Sequence, residues 1–512
     1  MTLKIPAIVI KILQELKNSG FEGYVVGGCA RDILLNRAPD DWDITTNAKP
    51  EEIQGIFSHE NIWWHEAIYE NQFGTVGIIT NAANSLLKLI EATTYRLEGK
   101  YTDKRHPDEI KFAKTLEEDL SRRDFTINTL ALDLKLDNIL LSDSDLDNVI
   151  EVDYDLIDLF NGAEDLKNGI IRAVGDPEKR FSEDALRLMR AVRFATQLSF
   201  LIEEKTLESL RKLASNLQYV SGERIRDELI KMIMTPNAAD GIRLLSNLGL
   251  LDYIIPELKD TIDVSQNKHH IYSVWEHLWR SLEYSAKEDY SLEVRLASLF
   301  HDIGKPGTKQ GNGVDATFLN HEMLSAKITK KILTRLHFPN YILDKVLLLV
   351  RYHMFFYEPE TNTDASLRRL LVKVGRENIE DLAKVREADR IGSGCPKALP
   401  FKLRHFLFKV EKVLKELDGE NPGLKMLKID GDNLIKEVGM EPGPKLGFVL
   451  SILLEEVLED ISKNTKEYLL EKAKELNSKE IQELKEMSLK AEETYSKVLN
   501  DEEQEIKDKY YV

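Results

Sequence analysis

The chain has 512 residues, 42% of them hydrophobic and 31% charged, with a formal charge of −18 at neutral pH. That length is more than one hydrophobic core ordinarily serves, so several domains are expected. The acidic balance excludes a protein that coats nucleic acid through bulk charge, though not one with a local basic surface, and two cysteines, Cys29 and Cys395, rule out a disulfide framework and fit a reducing compartment.

In chain order, residues 1–20 (MTLKIPAIVIKILQELKNSG) read as an amphipathic helix ending at Gly20, because lysines interrupt an apolar run that would otherwise suggest a signal peptide. No apolar run approaches the ~20 residues of a membrane helix, and a cytoplasmic protein is expected. From 21 to about 140, strand-like and helix-like pieces alternate: GYVVGG is strand then turn, DWDITT a short strand, and TVGIIT, LLKLIEATTYR and EIKFA further strands. From about 145 nearly everything has helical period, as in SEDALRLMRAVRFATQL, GERIRDELIKMIM and AADGIRLLSNLGLL. A helical block over 265–395 holds most of the histidines, another over 396–476 starts lysine-rich, and 477–512 reads as a charged helical extension with little to bury. The expected fold class is α+β, with domains over 1–145, 146–264, 265–395 and 396–476 and an extension over 477–512.

The stretch GGCARDILLNRAPDDWDI, residues 27–44, carries the first chemical signal. Residues i and i+2 of a strand share a face, so Asp41 and Asp43 project together while Trp42 points to the core. Two adjacent carboxylates raise one pKa unless a cation lies between them, and magnesium, held by one or two carboxylates plus phosphates, is the natural one. Gly27 and Gly28 let the backbone turn close to a triphosphate, the helix start adds donors, and Arg31 supplies a forked cation.

VVGGCARDILLNRAPDDWDITT resembles the first motif of the class II nucleotidyltransferases, the tRNA CCA-adding enzymes and bacterial poly(A) polymerases. The resemblance implies a polymerase-β-like head followed by all-α neck, body, HD and tail domains, with Mg2+ on Asp41 and Asp43. It makes Glu91 in LIEATTYR a further acid near the metals, and RRDFTIN (Arg123, Asp124, Asn128) the contact to the nucleotide sugar. It makes EDALRLMR, with Asp184, Arg187 and Arg190, the base-reading segment. YRLEGKYTDKRHPDEIKF, with Asp103, Arg105 and Pro107, resembles the family's flexible loop, linked there to the switch from C to A addition. SGERIRDEL resembles a motif that supports the nucleotide pocket.

For base reading the chemistry follows from the residue types. Asp184 and Arg187, three apart, are neighbours on one helix face. A carboxylate only accepts hydrogen bonds and a guanidinium only donates them. Cytosine and adenine each offer an amino donor beside a ring acceptor and match the pair; uracil and guanine present the opposite pattern. A buried mismatch costs ~1–3 kcal/mol per group, so two side chains suffice to accept CTP and ATP without a template.

FHDIGKPGT (300–308) raises a second site. His277, His301, Asp302, His321, His353 and Asp389 follow the order of HD-superfamily metal-dependent phosphohydrolases, whose six-residue version holds two metals. Lys305 is a phosphate contact or a helix end, and His269 and His270 have no assigned role. KALPFKLRHFLFKVEKVLKEL is basic on one face, and KIDGDNLIKEVGMEPGPKLGFVL resembles the family's tRNA-gripping tail, where backbone contacts are salt-sensitive. The reading is therefore template-independent CCA addition to tRNA from CTP and ATP, with HD phosphohydrolase chemistry as an addition. The alternatives are a poly(A) polymerase, a CC- or A-adding split-function enzyme, a phosphohydrolase centred on the HD domain, and a non-catalytic tRNA-binding protein.

Overall fold

The structure, a computed structural model, describes residues 2–71, 74–98, 110–267, 271–311, 313–355, 357, 363–394, 400–417 and 423–490. The chain folds as two compact units, one ending at Pro256 and the other starting at Glu257.

The first unit is built on a mixed eight-stranded sheet. Its strands are β1 (Thr2–Pro6), β2 (Gly23–Val26), β3 (Asp43–Thr46), β4 (Trp64–Asn71), β5 (Thr75–Thr80) and β6 (Leu89–Thr94), joined by β9 (Ala131–Leu134) and β10 (Val149–Ile157). A separate antiparallel pair is formed by β7 (Arg96–Glu98) and β8 (Ile110–Phe112). The order in the large sheet is β1-β10-β9-β2-β3-β6-β5-β4. All neighbours are antiparallel except β3 and β6, whose parallel register sets Asp43 beside Glu91. The period of two decides what each face carries. Ile44, Val76, Ile78, Ile90 and Ala92 are fully or almost fully buried against the Ala7–Asn18 helix and the tryptophans 42, 63 and 64. Their alternates Asp43, Thr75, Glu91 and Thr93 line a cleft on the other side.

Two expectations fail here. Residues 1–20 are not one helix: Thr2–Pro6 is a strand, and the helix runs from Ala7 to Asn18. Pro6, with φ −59° and ψ 136°, stays extended and starts the helix instead of joining it. The helical character expected from 145 onward is interrupted by the nine-residue β10, and the sheet runs on to Ile157. β10 alternates hydrophobic with acidic residues (VIEVDYDLI) and is largely exposed, so its strand pattern lies inside an acid-rich stretch that reads as polar.

After the sheet come helices Pro177–Glu183, Leu186–Leu198, Glu204–Leu213, Gly222–Ile233 and Ala238–Asn247. The second unit is helical. The six HD residues lie on or directly after five of its first six main helices, which run from Val274–Lys287 to Ile379–Gly392, and Ser273, Ser291 and Thr363 cap three of these helices through their side chains. The later helices Pro400–Glu416, Gly431–Val438, Pro444–Glu459 and Lys466–Asn477 are tied in by Arg369, which pairs with Glu455 and Glu459, and by Arg368, which donates to the Leu458 carbonyl at 2.8 Å. Residues 481–490 are helical, and Leu484 is buried, so part of the extension does pack. Among the described residues no helix is long and apolar enough to cross a membrane. Asp103, Arg105, Pro107, His269, His270 and Cys395 lie outside the described residues.

Candidate functional site

The cleft of the first unit, about 930 Å³, is lined by eight arginines and one lysine facing seven carboxylates. This is a cationic surface inside a strongly acidic chain, and it suits polyphosphate. Gly27 turns the chain off β2 with φ +75°, a left-handed conformation that favours glycine. A Cβ there would lie 2.9 Å from Arg123 Nη1 and 3.2 Å from Asp43 Oδ2, so glycine is also what lets the backbone lie against the acids. Asp43 opens β3, whereas Asp41 stands in the bend just before it, so only one of the pair is in the strand. Both acids, with Glu91, reach the cleft, and Trp42 is buried on the other side as expected. Burial and then the neighbouring Asp41 push the Asp43 carboxyl up to about 6, against the opposing pull of Arg123. A carboxylate held so far above its ordinary range beside two others is the environment a divalent cation relieves, and these residues fit one.

Arg31 is more constrained than expected. Its Nε and Nη2 grip Asp32 at 2.9 and 2.8 Å, and Nη1 donates to Asn128 Oδ1 at 2.9 Å. Asn128 Nδ2 in turn donates to Asp124 at 3.1 Å, and Arg190 Nε donates to Asp124 at 2.7 Å. Burial alone would raise the Asp124 carboxyl, but Arg190 and Asn128 hold it well below the usual carboxylate range. Asp124 therefore organises Asn128 and Arg190. Arg31, Arg190 and Arg193 all stack near the Phe194 ring, at 5.1, 5.3 and 3.8 Å.

The base-reading segment differs from expectation in its geometry. The helix Pro177–Glu183 stops, Asp184 is extended (φ −133°, ψ 108°), and a new helix starts at Leu186. Asp184 and Arg187 are thus not neighbours on one helix face. The Asp184 side chain accepts from the Leu186 amide at 3.0 Å, a competing local bond that ends the first helix. Both residues line the cleft. Arg187 Nη1 is held by Glu183 Oε2 and the Arg180 carbonyl, each at 3.0 Å, and Nη2 by the Arg122 carbonyl at 3.1 Å. The partner of Asp184 is Arg224, whose two terminal nitrogens lie 2.9 and 3.3 Å from its oxygens. Sequence reasoning placed Arg224 in a supporting helix and missed this pairing. The only available signal was a short run, SGERIRDEL, with an arginine on the helix's first turn.

In the second unit the six HD residues come together, all buried. His277 Nε2 lies 2.9 Å from His301 Nε2, 3.1 Å from Asp302 Oδ2 and 3.3 Å from Asp389 Oδ1. On the other side His321 Nε2 and His353 Nε2 lie 3.0 and 3.5 Å from Asp302 Oδ1. Asp302 therefore presents one oxygen to each of two donor sets. Nδ1 of His301, His321 and His353 meets a backbone carbonyl at 2.9, 2.7 and 2.7 Å, which fixes the tautomer and turns Nε2 inward. Asp302 Oδ1, His321 Nε2 and His353 Nε2 are buried and make no hydrogen bond among the described residues. Buried polar atoms left in that state suit metal ligands. Burial pulls the His301 imidazole down and Asp302 and Asp389 outweigh it, pushing it up to about 9; burial drives His353 down to about 4. Lys305 Nζ sits 2.6 Å from Asp302 Oδ2 and 2.6 Å from Gln266 Oε1, so it neutralises the shared carboxylate.

Family models match three stretches of the chain: the poly A polymerase head domain over 23–172, the probable RNA and SrmB-binding site of polymerase A over 199–262, and the HD domain over 274–393. The CCA-adding enzyme of Ligilactobacillus salivarius is 32% identical over 473 residues, 91% of this chain and 96% of that one. The CCA-adding enzyme of Enterococcus faecalis is 31% identical over 468 residues, 91% and 95% of the two chains.

The chain belongs to the CCA-adding enzyme family.

A match to the CCA-adding enzyme of Lactobacillus helveticus is tighter, 44% identical, but runs over 251 residues, 48% of this chain and 55% of that relative. Among solved structures, the Bacillus stearothermophilus CCA-adding enzyme in complex with CTP superposes with a TM-score of 0.65 at 27% identity, covering 92% of this chain and 97% of that one. The Thermotoga maritima CCA-adding enzyme complexed with tRNA shares the fold, with a TM-score of 0.52 at 20% identity over 91% and 94% of the two chains.

Proposed function

We propose that the chain adds C, C and A to the 3' end of tRNA from CTP and ATP, without a template, and releases diphosphate. The observation that carries this reading is the single cleft holding Asp41, Asp43 and Glu91 together with Asp184 and Arg187. Metal acids and base readers share one cavity, as nucleotidyl transfer requires. Asp41 and Asp43, with Glu91 beside them, would hold Mg2+. When bound, that ion supplies charge stabilisation at the reacting phosphate and lowers the pKa of the attacking hydroxyl.

The remaining work falls to protein groups. Gly27 and Gly28 bring the backbone up to the triphosphate, and Arg123 neutralises its charge beside Asp43. Asn128, held between Arg31 and Asp124, faces the sugar. Asp184, fixed by Arg224 and the Leu186 amide, keeps acceptor capacity for the exocyclic amino group of cytosine or adenine. Arg187 donates to the ring acceptor. The cytoplasm, with magnesium and reduced thiols, suits this chemistry. The head domain of the proposal takes in β10, and the helical neck, HD and tail domains follow in the order read from the sequence.

The test uses three tRNA transcripts, ending before CCA, after the first C and after CC, with labelled CTP, ATP, UTP and GTP. Extension that halts after A supports the proposal. Long adenosine tails, or additions that stop at CC or consist only of the last A, would hand the case to a poly(A) polymerase or a split-function enzyme. Asp41→Ala with Asp43→Ala should remove incorporation and leave tRNA binding.

A second reading concerns the HD cluster. The place of the buried Asp302 in both donor sets favours a dinuclear centre, and with Lys305 beside it we propose phosphohydrolase chemistry there in addition. His301→Ala with Asp302→Ala should abolish phosphate release from nucleotide monoesters and ring opening of cyclic phosphates while CCA addition persists.

A further inference from the structure

We infer that Asp119 is a positioning residue that ties the metal-binding strand to the base-reading helices. The inference rests on the nucleotidyl-transfer reading of the cleft and goes beyond it, because Asp119 does not line the cleft. Its side chain is fully buried in the short Leu116–Ser121 helix, where a capping box made by Thr115 and Glu118 fixes the first turn. A buried carboxylate is retained only where donors satisfy it, and the donors here come from four functional directions.

Asp119 Oδ1 accepts from the Arg96 backbone amide at 3.2 Å, and from Arg122 Nε and Nη2 at 3.0 and 2.8 Å. Oδ2 lies 3.2 Å from the Thr45 hydroxyl and 3.6 Å from Arg123 Nη2. Each contact leads somewhere. Thr45 is two residues past Asp43 on the same face of β3, so the carboxylate braces the strand that presents the metal acid. Arg123 lays its other terminal nitrogen against Gly27 and donates it to the Asn128 carbonyl at 3.4 Å, where its charge acts on Asp43. Arg96 begins β7, which pairs with β8 on the far side of residues 99–109. Arg122, its guanidinium held, offers its carbonyl to Arg180 Nη1 at 3.2 Å and to Arg187 Nη2 at 3.1 Å.

One carboxylate thus sets the pose of Arg123 toward the metal acids and, through Arg122, that of the base reader Arg187. The two adjacent arginines divide the work: one reaches the phosphate side of the cleft by its side chain, the other reaches the base side by its carbonyl. Burial would raise the Asp119 carboxyl, and the two arginines hold it below the usual range, so it remains a carboxylate across the working pH range. Positional errors near 1 Å at a reacting centre cost about 100-fold in rate. Loss of Asp119 should therefore reduce catalysis and blur base selection together.

The experiment compares full-length wild type with Asp119→Asn, Arg122→Gln, the double variant and Asp119→Glu. It measures kcat and KM for CTP on tRNA lacking CCA, the ratio of CTP to UTP incorporation, and thermal unfolding. Asp119→Asn is expected to lower kcat/KM by about 100-fold and to narrow the CTP-to-UTP ratio by about tenfold, the equivalent of one misplaced hydrogen bond. Arg122→Gln should narrow the ratio in the same way, and should carry the test if Asp119→Asn does not fold. The double variant should be no worse than the poorer single one, as for residues acting as a unit, and Asp119→Glu should recover part of the selectivity. An unchanged CTP-to-UTP ratio in both single variants, with activity falling only in step with folded protein, would overturn the inference. A wild type that incorporates nothing overturns the nucleotidyl-transfer reading and this inference with it; an active wild type beside an unmoved Asp119→Asn overturns the inference alone.

Discussion

Asp43, the acid proposed to hold the metal, should weaken the metal-free fold, and Asp43→Asn measures by how much. Burial and Asp41 move the Asp43 carboxyl from 3.8 to about 6, a difference of roughly two pH units at ~1.4 kcal/mol each. The ceiling is therefore ~3 kcal/mol, and because the side chain keeps some solvent contact, about 2 kcal/mol is the expected value. The sign follows from linkage. A folded-state pKa above the unfolded one means that the protonated acid contributes stability fully present below pH 3.8 and lost as the pH rises through about 6. Asparagine is a neutral near-isostere with no such titration. In chelator at pH 7.5, Asp43→Asn should be more stable than wild type by about 2 kcal/mol, and the two should converge by pH 4. Urea unfolding followed by tryptophan emission reads the difference, since Trp42, Trp63 and Trp64 are buried in the same core. Saturating magnesium should restore the wild type and leave the variant unmoved. A variant that is less stable at pH 7.5, or a gap that does not close on acidification, would refute the electrostatic account of this site.

Magnesium affinity should rise about tenfold per pH unit below about 6 and flatten above it, because Asp43 must surrender its proton; calorimetric titration between pH 5 and 8 without that slope would remove Asp43 from the ligand set. Gly27→Ala combines a left-handed φ of +75° with a Cβ 2.9 Å from Arg123 Nη1, and a strain of ~1–2 kcal/mol should raise KM for CTP about tenfold. Gly28→Ala meets nothing nearer than 3.8 Å and should be clearly milder; equal effects would contradict the geometry. Arg224→Ala frees Asp184 and should narrow CTP-over-UTP selection by about tenfold, the worth of roughly one charged hydrogen bond, as read by competitive incorporation. In an Asp41→Asn, Asp43→Asn background, Asp302→Ala should lose both equivalents of HD-bound metal and His353→Ala one, by elemental analysis after dialysis.

Much of the site was legible because its logic is local. The alternation of DWDITT put Trp42 in the core and its flanking acids in the cleft, and the ordered histidines predicted a cluster that the fold does bring together. Glu91 stood on resemblance alone until the parallel register placed it beside Asp43. The failures are long-range or competitive. Asp184 and Arg187 have helical spacing, but the aspartate spends its side chain on the Leu186 amide and on Arg224, forty positions away. No periodicity encodes such a pair, nor the meeting of Thr45 and the Arg96 amide on Asp119. β10 was missed because its strand alternation uses acids on an exposed face, and β1 because five residues ending in a proline leave little pattern to read.

The pairing of β1 with β10 has a consequence for synthesis. Thr2 finds its partner at Asp153, about 150 residues later in the chain. At ~5–20 residues per second, the first strand leaves the ribosome roughly 8–30 seconds before its neighbour exists. Strands β2 to β9, which share a core with Ile8, Ile10 and Ile12, are made within that interval, but β1 itself pairs only with β10 and stays without a sheet neighbour to its end. The nascent chain therefore carries an unpaired edge strand in waiting. Slower translation of the stretch between β1 and β10 is therefore expected to lengthen the time for which this edge strand can pair wrongly.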